Sequence, residues 1–358
     1  MLRISNTHEI HKILRKILQN KDKILKKTIL LSHGGGGEEM NKLINDTIFR
    51  AFDNEILREC NDSAILPNFG GELAFTTDSY VVTPIFFSGG DIGKIAVCGT
   101  INDLCMVGAK PLFISVGFII EEGLKFAEFE RILASIADTA KQCGVKIVCG
   151  DTKVVPHGKC DKIFINTSGI GQILAPNIKA KNIKIGDKIL LSGDVGRHGA
   201  VILAARDELS LESELKSDCK PLGGVVGELL KSGVKIRAMR DATRGGLSAV
   251  LNEFAEISGN EILVFEEKIA LSDEVVGVCE LLGFEPYELA NEGTFVAVVA
   301  SGDEAKALEV LRKFDKNAEI IGEVTGTAKS QNRVIIQNAY GSGRFLELPK
   351  GELLPRIC

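Results

Sequence analysis

The order of apolar and polar positions along the chain predicts strands that alternate with helices. Residues 112–120 form an apolar, β-branched run that is typical of a buried strand, and residues 126–143 repeat their apolar positions at helical spacing. The apolar patterns of residues 146–149 and 162–173 predict two further strands. Because helices return onto strands throughout, the pattern favours a mixed α and β fold.

The same pattern divides the chain into two halves. A boundary is expected near Ala175-Pro176-Asn177, after which strands at 188–192, 236–239 and 295–300 again meet Gly-rich turns and helices. We therefore expect one domain over residues 28–175 and a second over residues 176–340.

Residues 1–27 differ from the rest of the chain. They contain eight Lys or Arg against Glu9 and Asp22, and their apolar residues recur at helical spacing. This predicts a basic amphipathic extension, either packed on the body or a partner subunit, or lying on a membrane surface.

The end of the chain is unusual in carrying a thiol. Cys358 follows seven residues that include Gly351 and Pro355 and lack helical periodicity, and Gly341-Ser342-Gly343 resembles a hinge. We therefore expect residues 341–358 to form a mobile tail. Its thiol either carries a chemical group between two sites or merely ends a frayed segment.

Composition narrows the function classes. The chain has 358 residues, a net charge of -5 and no Trp, which disfavours nucleic-acid binding. Its nine cysteines form no CxxC pair, which fits a reducing compartment. We saw no signal peptide and no apolar run of membrane-spanning length, so we expect a cytoplasmic protein.

Two glycine-rich turns before helices are candidates for phosphate binding. Gly34, Gly35, Gly36 and Gly37 follow an expected strand and precede an expected helix, an arrangement that can cradle an anion or simply form a flexible turn. The run from Asp241 to Gly246 also precedes a helix. Its amides could hold a phosphate braced by Arg244, or it could be an ordinary capped helix.

Acidic residues recur in the first half, where strands are expected to end. Converging carboxylates can bind Mg²⁺ together with phosphates, although each Asp alone is more often a turn or helix cap. Lys153, after the expected Gly150-Asp151-Thr152 turn, could orient phosphate, and Glu292 could act as a base; either could instead be a salt-bridged surface residue. The chain has no GxxxxGK[ST] motif, so it is not a P-loop protein.

Six motifs, spread from the first domain to the last residue, resemble the HypE family of hydrogenase maturation factors: FTTDSYVVTP at 75–84, GGDIGK at 89–94, GDTKVV at 150–155, SGDVGRHG at 192–199, MRDATRGG at 239–246 and PRIC at 355–358. That family is part of the aminoimidazole ribonucleotide synthetase (PurM-like) superfamily. Its relatives, selenophosphate synthetase and thiamine-phosphate kinase, lack the terminal PRIC. The basic segment before Thr28 departs from the usual HypE start.

The resemblance implies an α+β fold of two PurM-like domains. The N-terminal mixed sheet would form the core of a homodimer, the C-terminal domain would be an α/β sandwich, and a flexible tail would end the chain. The implied reaction uses ATP to dehydrate a carbamoylated terminal cysteine to an S-cyanide. HypF would load the thiol, and the cyano group would pass to iron on the HypC–HypD complex.

Site residues follow from the resemblance by position. Cys358 would be the covalent carrier, and Lys153 and Glu292 would handle the amide protons. Mg²⁺ and phosphates would be held by Asp78, Asp91, Asp103 and Asp151. ATP would also contact Gly34 to Gly37, Asn102, Gly150, Thr152, Asp241 and Arg244.

Two other functions remain open at this level. One is an ATP-dependent kinase or ligase of the same superfamily that acts on a free small molecule, with the tail incidental. The other is a non-catalytic scaffold for maturation partners.

Overall fold

The computed structural model describes residues 28–61, 63–206, 214–327, 333–349 and 357–358. The expected amphipathic extension, residues 1–27, lies outside the described part. Within that part, no helix combines the length and apolar character needed to cross a bilayer.

The first domain is built on a four-stranded mixed sheet. Strands β1 (Leu73–Tyr80), β4 (Ala109–Glu121), β5 (Lys146–Val155) and β6 (Ile163–Ile173) lie in the order β1-β6-β4-β5, and β4 and β5 are the parallel pair. A two-residue pair, β2 (Phe86–Phe87) and β3 (Gly90–Asp91), precedes the first long helix.

Helices cover one face of this sheet. After a short 3-10 turn at Leu31–Gly34, α1 (Glu38–Leu43) continues through a π-helical segment, Ile44–Phe49, into α2 (Arg50–Phe52). Two longer helices, α3 (Ile92–Met106) and α4 (Phe126–Cys143), pack on the sheet. Since α3 is buried on nearly all sides, its apolar residues do not form a single stripe.

The second domain contains a seven-stranded sheet in the order β13-β12-β9-β11-β7-β10-β8. All neighbours are antiparallel except β12 and β9. Its strands are β7 (Lys188–Leu191), β8 (Ile236–Asp241), β9 (Asn260–Phe265), β10 (Phe295–Val299), β11 (Glu319–Thr327), β12 (Val334–Gln337) and β13 (Gly343–Phe345). Its helices are α5 (Arg197–Ala204), α6 (Gly223–Lys231), α7 (Gly246–Ser258), α8 (Asp273–Leu282) and α9 (Glu304–Arg312).

One hydrophobic cluster crosses the boundary between the domains. It includes Ile101 and Ile114 of the first domain, Leu222 and Phe295 of the second, and Ile357 from the end of the chain. The two domains therefore share a core, and the last residues are packed into it.

The structure changes two local expectations. The run Gly150-Asp151-Thr152-Lys153 is part of β5 rather than a turn, because parallel pairing with β4 continues to Val155. The segment that begins at residue 341 is also ordered where the structure describes it, up to residue 349. The 343–345 segment pairs with β12 and Leu346 is buried, so Gly341 forms a turn before a strand instead of a hinge.

Candidate active site

The last residue of the chain lies inside the molecule beside charged groups from both domains. The main-chain oxygen of Cys358 accepts a hydrogen bond from Val81 N–H at 3.1 Å, and Ile357 is 6% exposed. We call the surroundings of this sulfur the thiol site; its members are Cys358, Asp78, Asp241, Arg244 and Glu292. Burial first, and then the negative charge of Glu292, raises the pKa of the Cys358 thiol to about 12.

Next to the thiol, three acidic side chains from three elements repel one another. Asp78 is on β1, Asp103 on α3 and Asp241 at the end of β8. Burial and the nearby Asp78 raise the pKa of Asp103, opposed by a 2.8 Å hydrogen bond from the Thr76 hydroxyl. Burial and Asp103 raise the pKa of Asp241 to about 7. Such an excess of negative charge suits a site that binds cations.

Glu292 is held in place by a buried carboxylate. Asp218 accepts hydrogen bonds from the backbone N–H groups of Glu292 and Gly293 at 3.1 and 2.9 Å, and from the Asn291 amide at 2.9 Å. A Cβ atom on Gly293 would lie 1.9 Å from the Asp218 carbonyl oxygen, so this turn requires glycine. Burial raises the pKa of Glu292 well above its usual value, and Cys219 and Asp241 add to the effect.

Asp151 and Lys153 lie on the other face of the sheet. Asp151 is aligned with Gly117 of β4, Asn166 of β6 and, through β6, Ser79 of β1, and residues aligned across a sheet share a face. Asp78 precedes Ser79 and therefore points to the opposite face, under α3. The predicted magnesium ligands are thus divided between the helix-packed face and an open face.

The open face of the N-terminal sheet is exposed and partly apolar. Phe75 is 70% exposed and Ile119 45% exposed. On this face Lys153 Nζ donates to both carboxylate oxygens of Asp151 at 2.7 Å, and this bond lowers the pKa of Asp151. Since both side chains are more than half exposed, the ion pair contributes little stability.

The first glycine-rich turn packs against β5. A Cβ atom on Gly34 would lie 2.7 Å from the Val154 backbone nitrogen, so the close approach depends on glycine. A cavity of about 160 Å³ lies nearby, between α1 with its π-helical continuation and the β4–β5 strands, and Gly150, Asp151 and Thr152 line it. The structure therefore places Gly34 beside Val154, on the strand that also carries Gly150 and Thr152.

Two predicted ligands have structural contacts. Asp91 accepts from Lys94 N–H at 3.0 Å and caps α3. The buried Asn102 amide accepts from Leu222 N–H at 2.8 Å and donates to the Lys220 carbonyl at 3.2 Å. Asn102 thus links the first domain to the 220–222 segment.

The residues that sequence reasoning missed lie mainly in residues 215–219, which show no pattern of strand, helix or motif. Asp218 was not singled out, although it fixes the Glu292 turn. His198 was not singled out either, although its imidazole contacts the Ile357 carbonyl. Its place in the run SGDVGRHG was the available signal.

Comparisons with known proteins agree with this architecture. Residues 60–173 match the AIR synthase related protein, N-terminal domain, and residues 184–335 match the C-terminal domain of the same family. The chain is 44% identical over 338 residues to a carbamoyl dehydratase HypE of Rhodobacter capsulatus, covering 92% of this chain and 98% of that protein.

Solved structures give the same result. A crystal structure of HypE in complex with ATP has a TM-score of 0.88 and 44% identity, covering 92% of this chain and 100% of that one. HypE in a HypE–HypF complex has a TM-score of 0.74 and 46% identity, covering 86% of this chain and 99% of that one.

Fold and family matches together define a two-domain, α+β protein of the AIR synthase related class. Within that class, the sequence identity to carbamoyl dehydratases HypE over nearly the whole length identifies the family. The chain belongs to the HypE family of carbamoyl dehydratases.

Proposed function

We propose that this protein uses ATP to dehydrate a carbamoyl group on its own Cys358 to an S-cyanide, which supplies the cyano ligand for the iron of nickel–iron hydrogenase. The position of the sulfur is the observation that carries the proposal. Glu292, Asp78 and Asp241 are all close enough to raise the pKa of the Cys358 thiol. A carrier thiol that is buried within the electrostatic reach of acidic groups from both domains is what a self-modifying dehydratase needs.

The reaction needs a better leaving group than hydroxide. Transfer of the γ-phosphoryl group to the amide oxygen forms a P–O bond and releases ADP. The nitrogen then loses two protons while the C–O bond breaks, giving the nitrile and inorganic phosphate. Positioning and electrostatic stabilisation should supply most of the rate enhancement, as in other phosphoryl transfers.

Glu292 is our candidate for accepting an amide proton. Because burial raises its pKa, its carboxylate form is a stronger base than a surface glutamate. Lys153 is our second candidate for the amide protons. Its ion pair with Asp151 is exposed, so the ammonium group can exchange that partner for a phosphate or a proton acceptor at low cost.

The acidic residues fit a bound Mg²⁺ that is shared with phosphates. Within the described residues, no three or more His, Cys, Asp or Glu side chains are arranged to hold a metal. Mg²⁺ on a nucleotide typically uses one or two carboxylates together with phosphate oxygens, and Asp78 and Asp103 provide such a pair. Asp91 and Asp151 remain predicted ligands. Bound Mg²⁺ would neutralise the acids and the charge that develops on the transferred phosphoryl group.

We infer that a second copy of the chain covers the open face of the N-terminal sheet. The apolar side chains of Phe75 and Ile119 support this, because such a patch favours burial against a partner. The resulting homodimer would remove Asp151 and Lys153 from solvent.

The partners proposed are HypF, which would load the thiol, and a HypC–HypD complex, which would receive the cyano group. The solved complex of a HypE with HypF supports the first. All nine cysteines are free thiols, which supports a reducing compartment such as the cytoplasm.

We retain the proposed domains at residues 28–175 and 176–340. The mobile tail is shortened, because residues 343–345 form a strand and Leu346 is buried.

Intact-mass analysis tests the function. The protein would be incubated with HypF, carbamoyl phosphate and ATP. We expect one carbamoyl group on the C-terminal peptide, followed by loss of one water when ATP is present. Cys358→Ser should show neither change. ATP turnover on a free small molecule that is unaffected by Cys358→Ser would favour the kinase alternative, and binding to HypC–HypD without any ATP cleavage would favour a scaffold.

A further inference from the structure

The end of the chain is held by a histidine that takes no part in the chemistry proposed above. His198 Nε2 lies 2.8 Å from the carbonyl oxygen of Ile357, the residue before the carrier cysteine. His198 is 0% exposed and belongs to α5 in the second domain. Together with the bond from Val81 N–H to Cys358, this contact fixes the backbone on both sides of the peptide that bears the thiol.

The partners of the imidazole define its tautomer. A carbonyl oxygen can only accept, so Nε2 carries the hydrogen that is donated to Ile357. Burial lowers the pKa of His198, so the ring is neutral and Nδ1 is an acceptor. The Ser217 hydroxyl donates to Nδ1 at 2.8 Å and itself accepts from Cys219 N–H at 3.1 Å. Each polar atom in this series therefore has a partner.

The imidazole is also held by groups from the first domain. The Phe87 ring meets the imidazole edge to face, with the ring centroids 5.3 Å apart. Ser217 N–H donates to the Ser88 carbonyl at 2.9 Å, which joins the two domains beside the histidine. These two contacts hold the ring without any residue of the tail, and an oriented donor costs little entropy on binding.

We propose that His198, oriented by Ser217, is a positioning residue that captures the Ile357 carbonyl and holds the carrier cysteine in the thiol site. The proposal rests on the proposed function, because docking matters only if the thiol carries a group to be dehydrated. The ligand recognised is a main-chain carbonyl of the protein's own tail. The imidazole contacts no reacting atom in this role.

Alkylation of Cys358 measures docking without any turnover. The wild type, His198→Leu, His198→Gln and Ser217→Ala would be treated with iodoacetamide in the absence of ATP. Glu-C cleavage after Glu352 releases residues 353–358, so that labelling of Cys358 is read separately from the other cysteines. His198→Leu should be labelled about tenfold faster than the wild type, as expected for loss of one buried hydrogen bond.

The His198→Gln variant distinguishes the effect of losing the hydrogen bond from the effect of changed packing. His198→Gln places an amide N–H near the position of Nε2, so its labelling rate should stay within about twofold of the wild type. Ser217→Ala should give an intermediate rate, because it keeps the ring and removes the donor that fixes its tautomer. Labelling of the exposed Cys60 and the melting temperature should match the wild type in each variant. The exposed His157→Leu serves as the matched control.

Two results would overturn the proposal. One is a His198→Leu protein that melts normally and is labelled at the wild-type rate. The other is equally fast labelling of His198→Leu and His198→Gln, which would assign the effect to packing.

In carbamoylated protein, His198→Leu should lose water about tenfold more slowly with ATP affinity unchanged. A wild type that never loses water, but shows the labelling differences above, would contradict the dehydratase and leave the positioning role intact.

Discussion

Asp103, on α3 where this helix packs on the N-terminal sheet, has a raised pKa. Asp151, on the open face of the same sheet, has a lowered pKa. Burial near Asp78 causes the first shift, and the bond from Lys153 causes the second. The two aspartates look equivalent in the sequence, since each was expected near the end of an element. Their difference shows that the surroundings of an aspartate, buried beside another carboxylate or paired with a lysine, decide the direction of its pKa shift.

The comparison also separates two kinds of contribution to one reaction. The helix-packed face belongs to the thiol site and needs a single chain. The open face has an exposed ion pair and exposed apolar side chains, so its contribution depends on what covers it. Variants on each face should therefore fail in different ways.

The largest effect is expected at Glu292. Glu292→Gln keeps the size of this buried side chain and removes a charge that is unfavourable to bury, so the fold should survive. Carbamoylation should continue, and loss of water should slow by roughly 10²- to 10⁴-fold, as for removal of a general base. Mass spectrometry of residues 353–358 over time measures both steps, and the exposed Glu280→Gln is the matched control.

The raised pKa of Glu292 predicts a pH dependence. Because burial raises the pKa of Glu292, its base form is populated at higher pH than that of a surface glutamate, so the rate of water loss should increase as pH rises through that pKa. This increase should disappear in Glu292→Gln. A wild-type rate that is flat with pH, or a Gln variant with a normal rate, would exclude Glu292 as the proton acceptor.

On the open face, Lys153→Ala is expected to allow carbamoylation and to slow dehydration by about 10²-fold, the lower end of the range for acid–base residues. The exposed Lys110→Ala on β4 is a control. Single-turnover mass spectrometry of preloaded protein isolates the step. Normal loss of water in the Lys153 variant would remove this residue from the mechanism.

Phe75→Lys tests whether the open face is a subunit interface. A charge in place of an aromatic side chain that is 70% exposed in one chain should weaken the dimer by about 2 kcal/mol for each copy. Analytical ultracentrifugation measures this change. Leu281→Lys on α8 replaces a side chain that is 64% exposed elsewhere and should leave the assembly unaffected. Equal behaviour of the two variants would argue against this interface.

The last effect, on stability and not on the reaction, is expected at Asp241, which belongs to the thiol site at the end of β8. A carboxyl whose pKa rises from 3.8 to about 7 destabilises the folded state as pH increases through that interval, by at most about 4 kcal/mol. Asp241→Asn should therefore raise the melting temperature at pH 8 and change it little at pH 4. A uniform shift at both pH values would contradict the charge argument.

Sequence reasoning predicted the fold class and most elements because their apolar patterns are local. The helix expected over 126–143 is found at Phe126–Cys143. The face of Asp151 could not be predicted, because it depends on the register of β4, β5 and β6. The role of Asp218 could not be predicted either, because its three N–H partners come from a turn more than seventy positions away.

The high pKa of the docked sulfur has a consequence for the order of events. A thiol with a pKa of about 12 is almost entirely protonated at neutral pH and is a poor nucleophile. In the thiol site an empty tail therefore resists oxidation and stray electrophiles, and it also cannot accept cargo there. We therefore expect loading to take place with the sulfur outside the thiol site, where burial no longer raises its pKa.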